Sequence, residues 1–176
     1  MNRLIQIFVI LSLFATSSLL CAETIAYQGF EGEASEGWAY TASAPGSGYW
    51  GIMDDEFGGA TAHSGDQYWA SWLLGSAEGT LTFANQNLSP GYLYSVSFHY
   101  YTRLLNAPAE YTRYALSYDE GLSWSEWIAL LPNTQAWTEC TIEIPAQATQ
   151  VMLKLSTSHN GTGKYAHWDA LHDIQF

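Results

Sequence analysis

The stretch Tyr94-Ser95-Val96-Ser97-Phe98-His99-Tyr100-Tyr101 decides the fold class. Tyr94, Val96, Phe98 and Tyr100 alternate with Ser95, Ser97 and His99. Successive side chains of a strand point to opposite faces, so this period of two gathers the large apolar groups on one side of an extended chain. Wound as a helix, the same residues would spread around the axis and form no continuous apolar stripe. The pattern recurs along the chain. Tyr114, Leu116 and Tyr118 alternate with Arg113, Ala115 and Ser117, and Cys140, Ile142 and Ile144 alternate with Glu139, Thr141 and Glu143. Val151, Leu153, Leu155 and Thr157 do the same with Met152, Lys154 and Ser156. Residues 24–30, 38–40, 67–74, 80–83, 124–130 and 166–176 are further candidate strands.

Turn residues punctuate these runs: Pro45-Gly46-Ser47-Gly48, Gly58-Gly59, Ser64-Gly65-Asp66, Pro90-Gly91 and Asn160-Gly161-Thr162-Gly163. About nine to ten short strands at this spacing predict an all-β antiparallel sandwich of the jelly-roll kind, not βαβ units. The first strand (24–30) is expected to pair close to the last (166–176). The polar half of each alternation leaves one face of each sheet toward water.

The first 22 residues read as an export signal, with Arg3 ahead of an apolar run over 4–13 and small residues at Ala15, Ser17 and Ser18. The run suits a signal better than the ~20 residues that span a bilayer. Cleavage is expected after Ala22, and Leu20 argues against acylation of Cys21, because a lipoprotein signal places a small residue there. Residues 23–176 are then a single secreted, extracellular or periplasmic domain with no transmembrane segment. Of the cysteines only Cys140 remains, on the inward parity of its strand, which predicts a buried, unreactive thiol. The signal holds one of the five basic residues, Arg3, and none of the 17 acidic ones, leaving four against 17, or −13. That field repels phosphate backbones and makes nucleic acid a poor partner, so none is expected.

The sharpest local motif is Ser117-Tyr118-Asp119-Glu120-Gly121-Leu122-Ser123-Trp124. Ser117, Asp119, Gly121 and Trp124 fit a hairpin corner in which the carboxylate accepts backbone N–H groups, glycine takes positive φ and the indole covers the turn. The stretch resembles the Asp-box of sialidase propellers and of reelin repeats. A single copy excludes a propeller, and the turn occupies the Asp119 carboxylate, which makes it architectural, not catalytic.

Further pieces are Phe30-Glu31-Gly32, Gly37-Trp38, Trp50, His63-Ser64-Gly65-Asp66-Gln67-Tyr68-Trp69, Phe98-His99-Tyr100-Tyr101, Trp137 and Ala166-His167-Trp168-Asp169. In this order they resemble MAM-like jelly-roll modules, which are themselves similar to carbohydrate-binding jelly rolls. Two departures stand out: the MAM cysteines are absent, and Ala170 replaces the second Asp of the closing strand. The resemblance implies a structural calcium ion tying first strand to last, with Glu31 and Asp169 at the matching positions. Asp66, in the adjacent turn, is added as a third ligand from its position alone. Calcium takes six to eight oxygen ligands, which carboxylates and carbonyls at a sandwich edge can supply. Asp54-Asp55-Glu56 reads as a wet loop.

No zinc spacing links the histidines; His167 and His172, five apart, would face opposite sides of a regular strand. No nucleophile elbow, zinc-protease motif or phosphate loop is present. Glu139 and Glu143 share a face but stand ~13 Å apart, beyond the reach of a glycosidase pair. The expectation is a noncatalytic recognition module whose partner is a glycan. Sugar CH faces stack on aromatic rings, and Trp69, Tyr101 and Trp127 fall opposite the apolar stripe of their strands. A structural or adhesive surface protein that binds another extracellular protein is the alternative. A small secreted glycan hydrolase or lyase is the second alternative.

Overall fold

The computed structural model describes residues 22–43, 46–74, 78–160 and 163–175. The expected export segment through Cys21 lies outside them. The strands are β1 (Glu23–Gln28), β2 (Tyr40–Ser43), β3 (Gly48–Met53), β4 (Tyr68–Leu73), β5 (Glu78–Phe83) and β6 (Gln86–Asn87). They continue as β7 (Tyr94–Arg103), β8 (Tyr111–Ser117), β9 (Ile128–Ala129), β10 (Thr138–Ile144), β11 (Gln150–Ser158) and β12 (Tyr165–Gln175). Among the described residues no helix is long and apolar enough to cross a membrane.

The strands form two antiparallel sheets. The first runs β10-β7-β12-β4-β3, with β1 also on β12; the second runs β2-β5-β11-β8-β9, with β6 on β11. β12 organises the first sheet. One edge pairs with β7, while the other pairs with β4 through Ala166–Trp168 and then with β1 through Leu171–Gln175. The expected meeting of first and last strands is therefore observed, with Glu23 opposite Gln175. A register shift between Asp169 and His172 puts both Trp168 and Leu171 in the core. Parity does not run through such a bulge, so β12 is not the regular strand on which the histidines were expected to alternate.

Between the sheets lie Val96, Phe98 and Tyr100 of β7 and Trp69 and Trp168 of the first sheet. Opposite them are Leu81 and Phe83 of β5, Leu116 of β8 and Val151, Leu153 and Leu155 of β11. Each such side chain contributes about 1.5–3 kcal/mol by leaving water. Trp50 packs edge-on against Trp69 (5.4 Å) and Trp168 (5.7 Å). The indole N–H groups of all three are buried without a hydrogen-bond acceptor, and the edge-to-face arrangement offers ring faces as weak partners instead. Gly79 makes room for this knot, since a Cβ there would lie 2.7 Å from the Trp50 ring.

The outer face of the first sheet is roofed as well. Phe57 packs on Tyr49 (5.5 Å), Tyr165 (5.3 Å) and His167 (6.0 Å), while Trp137 closes over Tyr68 and Tyr101. His167 is fixed as the neutral ring: Nδ1 accepts the Ser71 N–H (3.2 Å), so Nε2 carries the proton and donates to the Phe57 carbonyl (3.1 Å). The Ser71 hydroxyl bonds His159 Nε2 across the core (3.3 Å). Burial pushes His167 down to about 3 and His159 to about 4.

Candidate functional site

The outer face of the second sheet presents Trp127, one of the exposed aromatic groups. β8 ends at Ser117, and the following corner sets what comes next. Asp119 Oδ1 accepts the Ser123 N–H (2.8 Å), Ser117 Oγ accepts the Gly121 N–H (2.9 Å), and Gly121 has φ +84°. Hydrogen bonds from the Ser123 hydroxyl, the Ser123 N–H and the Ser117 hydroxyl hold the Asp119 carboxyl below its ordinary value. The chain then returns toward β9 carrying Trp124 and Trp127, and each indole lies against a cation of the sheet. Lys154 Nζ is 3.7 Å from the Trp124 ring centre. The Arg113 guanidinium is held between Trp127 (4.3 Å) and Tyr111 (4.1 Å).

Glu78 anchors this sandwich. It accepts from Arg113 Nη2 (3.2 Å), the Tyr111 hydroxyl (2.9 Å) and the Ser156 hydroxyl. Burial alone would raise the Glu78 carboxyl, but the three donors outweigh it and leave it lowered. Trp127 remains 37% exposed, so one ring face is braced and the other is open to solvent. Beside it Ala107, Pro108, Tyr111, Arg113, Trp127 and Leu130 line a groove of about 210 Å³. A braced aromatic plate beside a shallow groove can stack a flat apolar face, and the guanidinium can donate to oxygens at its edge.

Of the three aromatic residues expected to bind, only Trp127 stands free. Trp69 is 5% exposed and belongs to the core, because β4 turns Trp69, Ser71 and Leu73 inward and Tyr68, Ala70 and Trp72 outward. Tyr101 does point outward, but the roof covers it to 4% exposure: its hydroxyl donates to the Gly58 carbonyl and its ring stacks on His167 at 5.5 Å. Neither offers a face to a ligand.

The expected metal ligands Glu31, Asp66 and Asp169 meet at one loop. Glu31 Oε1 accepts the N–H groups of Asp66 (2.7 Å) and Gln67 (2.8 Å), and buried Asp169 Oδ2 accepts those of His63 (2.7 Å) and Ser64 (3.0 Å). The segments after β1 and within β12 are thus both tied to the loop 63–67. Gly65, with φ +65°, is required there because a Cβ would run into the Glu31 carboxylate. Asp66 enters through its N–H. Among the described residues no three His, Cys, Asp or Glu side chains are grouped to hold a metal.

Sequence reading did not single out Tyr111, Arg113, Trp124 and Lys154 as a group. The available signal was the scarcity of cations: residues 23–176 hold four, and Arg113 and Lys154 both occupy outward positions of predicted strands.

No family model and no curated protein matches the chain. Solved structures do. The carbohydrate-binding module TmCBM61, in complex with β-1,4-galactotriose, is 19% identical with a TM-score of 0.59, covering 82% of this chain and 92% of that one. The CBM22-1 xylan-binding domain of Paenibacillus barcinonensis Xyn10C is 12% identical with a TM-score of 0.54, covering 88% and 95%. The K2 cleaved adhesin domain of Lys-gingipain is 16% identical with a TM-score of 0.55, covering 86% and 97%. The chain shares their β-sandwich fold. Each neighbour is matched over nearly its whole length, so the likeness concerns the sandwich as a unit.

Proposed function

We propose that the chain is an exported, noncatalytic carbohydrate-binding module that takes its ligand at the outer face of the second sheet. The observation that carries this reading is Trp127, an indole braced by Arg113 with its other face open above a groove. Neighbours that bind galactotriose and xylan support the same class of ligand. Stacking one sugar on such a plate is worth roughly 1–2 kcal/mol, by analogy with other aromatic stacking contacts. Trp127→Ala should therefore weaken glycan binding by about tenfold or more while shifting the melting temperature little, because the ring is not part of the core. A glycan array followed by calorimetry on the hits measures this. Equal affinity in the variant would place the site elsewhere.

An adhesive role, with another protein as partner, is the second reading. The adhesin neighbour and the apolar rim of Leu122 (90% exposed), Ile128 and Leu131 favour it. Binding to no glycan on the array, with saturable binding to an extracellular protein, would establish it.

A further inference from the structure

The outer face of the second sheet continues past Trp127 as two straight rows of short polar residues. In one row Arg113, Ser156, Thr80 and Ser43 lie directly opposite one another across β8, β11, β5 and β2. In the next, Ala115, Lys154, Thr82 and Thr41 do the same. Four strands at about 4.8 Å spacing span ~14 Å, the length of a short oligosaccharide. The rows carry no bulky apolar group, and the hydroxyls that reach the surface, those of Thr80, Thr82, Thr41 and Ser43, are of the kind that exchange hydrogen bonds with sugar hydroxyls. A concavity lies at each end: the groove beside Trp127, and a hollow bordered by Thr41, Thr82 and Met152.

Each row also carries one cation. Residues 23–176 have four basic residues against 17 acidic ones, and two of the four are here as diagonal neighbours on adjacent strands. Neither has its donors used up. Among the described residues Lys154 makes no ion pair and rests on the Trp124 ring. Arg113 spends Nη2 on Glu78 and its Nε is buried, which leaves Nη1 to meet a ligand. Of the remaining cations, Lys164 is bound to Glu110 and Arg103 to the Gly58 carbonyl.

From this we infer that the rows form a track for an acidic glycan, a chain containing hexuronic acid units, running from Trp127 across β8, β11, β5 and β2. Trp127 stacks one sugar ring, Lys154 and Arg113 meet carboxylates along the chain, and the hydroxyls of Thr80, Thr82, Thr41 and Ser43 bond the ring hydroxyls, while Ser156 and Ala115 lie buried. Glu78 on the same face is held by Arg113, Tyr111 and Ser156, so it orients the guanidinium without closing the track. The net charge of the chain opposes a polyanion at long range. Screening over about 8 Å at physiological salt leaves the contacts at the track to decide.

This inference rests on the carbohydrate-binding reading, and the test separates the two. Galacturonic acid oligomers and neutral β-1,4-galactan oligomers of equal length are titrated into the wild type, Trp127→Ala and Lys154→Gln, each checked for an unchanged melting curve. The inference expects hexuronate oligomers to bind at least about tenfold tighter than neutral ones. Lys154→Gln should remove most of that preference, and Trp127→Ala should weaken both. Equal affinity for the two oligomers, or hexuronate binding indifferent to Lys154→Gln, overturns the acidic track while the module reading stands. If neither oligomer binds and the array is blank, both readings fall.

Discussion

Asp169 is a fully buried carboxylate whose Oδ2 receives two backbone N–H groups from a loop more than a hundred residues earlier in the chain. Removing it leaves those donors without their acceptor, at about 1–3 kcal/mol for each one kept from water. Asp169→Ala should lower unfolding free energy by about 2–4 kcal/mol in urea titration, whereas Asp169→Asn, which keeps an acceptor oxygen, should lose less. Cys140 is a second residue with a definite expectation. Its side chain packs against the core, and burial with Glu139 alongside pushes the thiol up to about 11. Alkylation at pH 8 should be slow in the folded protein and become fast in denaturant. The inward placing of Cys140 was legible from the alternation in Thr138–Ile144. Asp169 was legible as important, but residue type and spacing do not announce the two N–H groups that its Oδ2 accepts.

The elements that misled are those with two covered faces. β7 reads cleanly because its outward residues are Ser95, Ser97 and His99. β4 does not, because Tyr68 and Trp69 both carry large rings and each is buried for a different reason. The roof that covers Tyr68 and Tyr101 comes from residues 57–60 and from Trp137, which are distant in sequence, and no local pattern announces them. β3 was hidden because its first residue, Gly48, read as part of the turn cluster Pro45–Gly48, yet it pairs with β4 along six positions at the sheet edge. The roof is itself testable. Gly58 has φ +66° and an added Cβ would sit 2.5 Å from the Tyr165 ring. Gly58→Ala should therefore cost about 2–4 kcal/mol through strain and displaced packing. Quenching of Trp137 by acrylamide should rise along with it. The loop 63–67 offers a parallel experiment: held by N–H donors to Glu31 and Asp169, it should give the same melting temperature in millimolar calcium as in magnesium. A rise with calcium alone, lost in Asp169→Asn, would establish the ion implied by the resemblance.

At the scale of the molecule, the two buried histidines set how stability depends on pH. His159 and His167 have folded values of about 4 and about 3, below the ordinary value of 6.5. In the unfolded chain both take up protons as pH drops below about 6.5, while in the folded protein they stay neutral. Stability from their burial is complete above that value and is lost steadily on acidification toward the folded values. Each pH unit within this window costs about 1.4 kcal/mol per histidine, so passing from pH 7 to pH 5 should remove about 2–4 kcal/mol. Melting curves across that range check this, and in His159→Asn roughly half of the loss should disappear. Glu78 and Glu110, both lowered by their partners, add a further loss only as pH falls toward and below the usual carboxylate range.

The pairing of Glu23 with Gln175 also fixes how the sandwich bears tension. A pull applied at these two residues is directed across the antiparallel hydrogen bonds of β1 and β12 and loads them one after another, as a zipper is opened. Anchored at positions far apart along parallel-loaded strands, the same sheet would have to break many bonds at once. In single-molecule stretching by its two ends, the protein should yield at low force and release β1 first, leaving β7 on the opposite edge of β12 intact until the core opens.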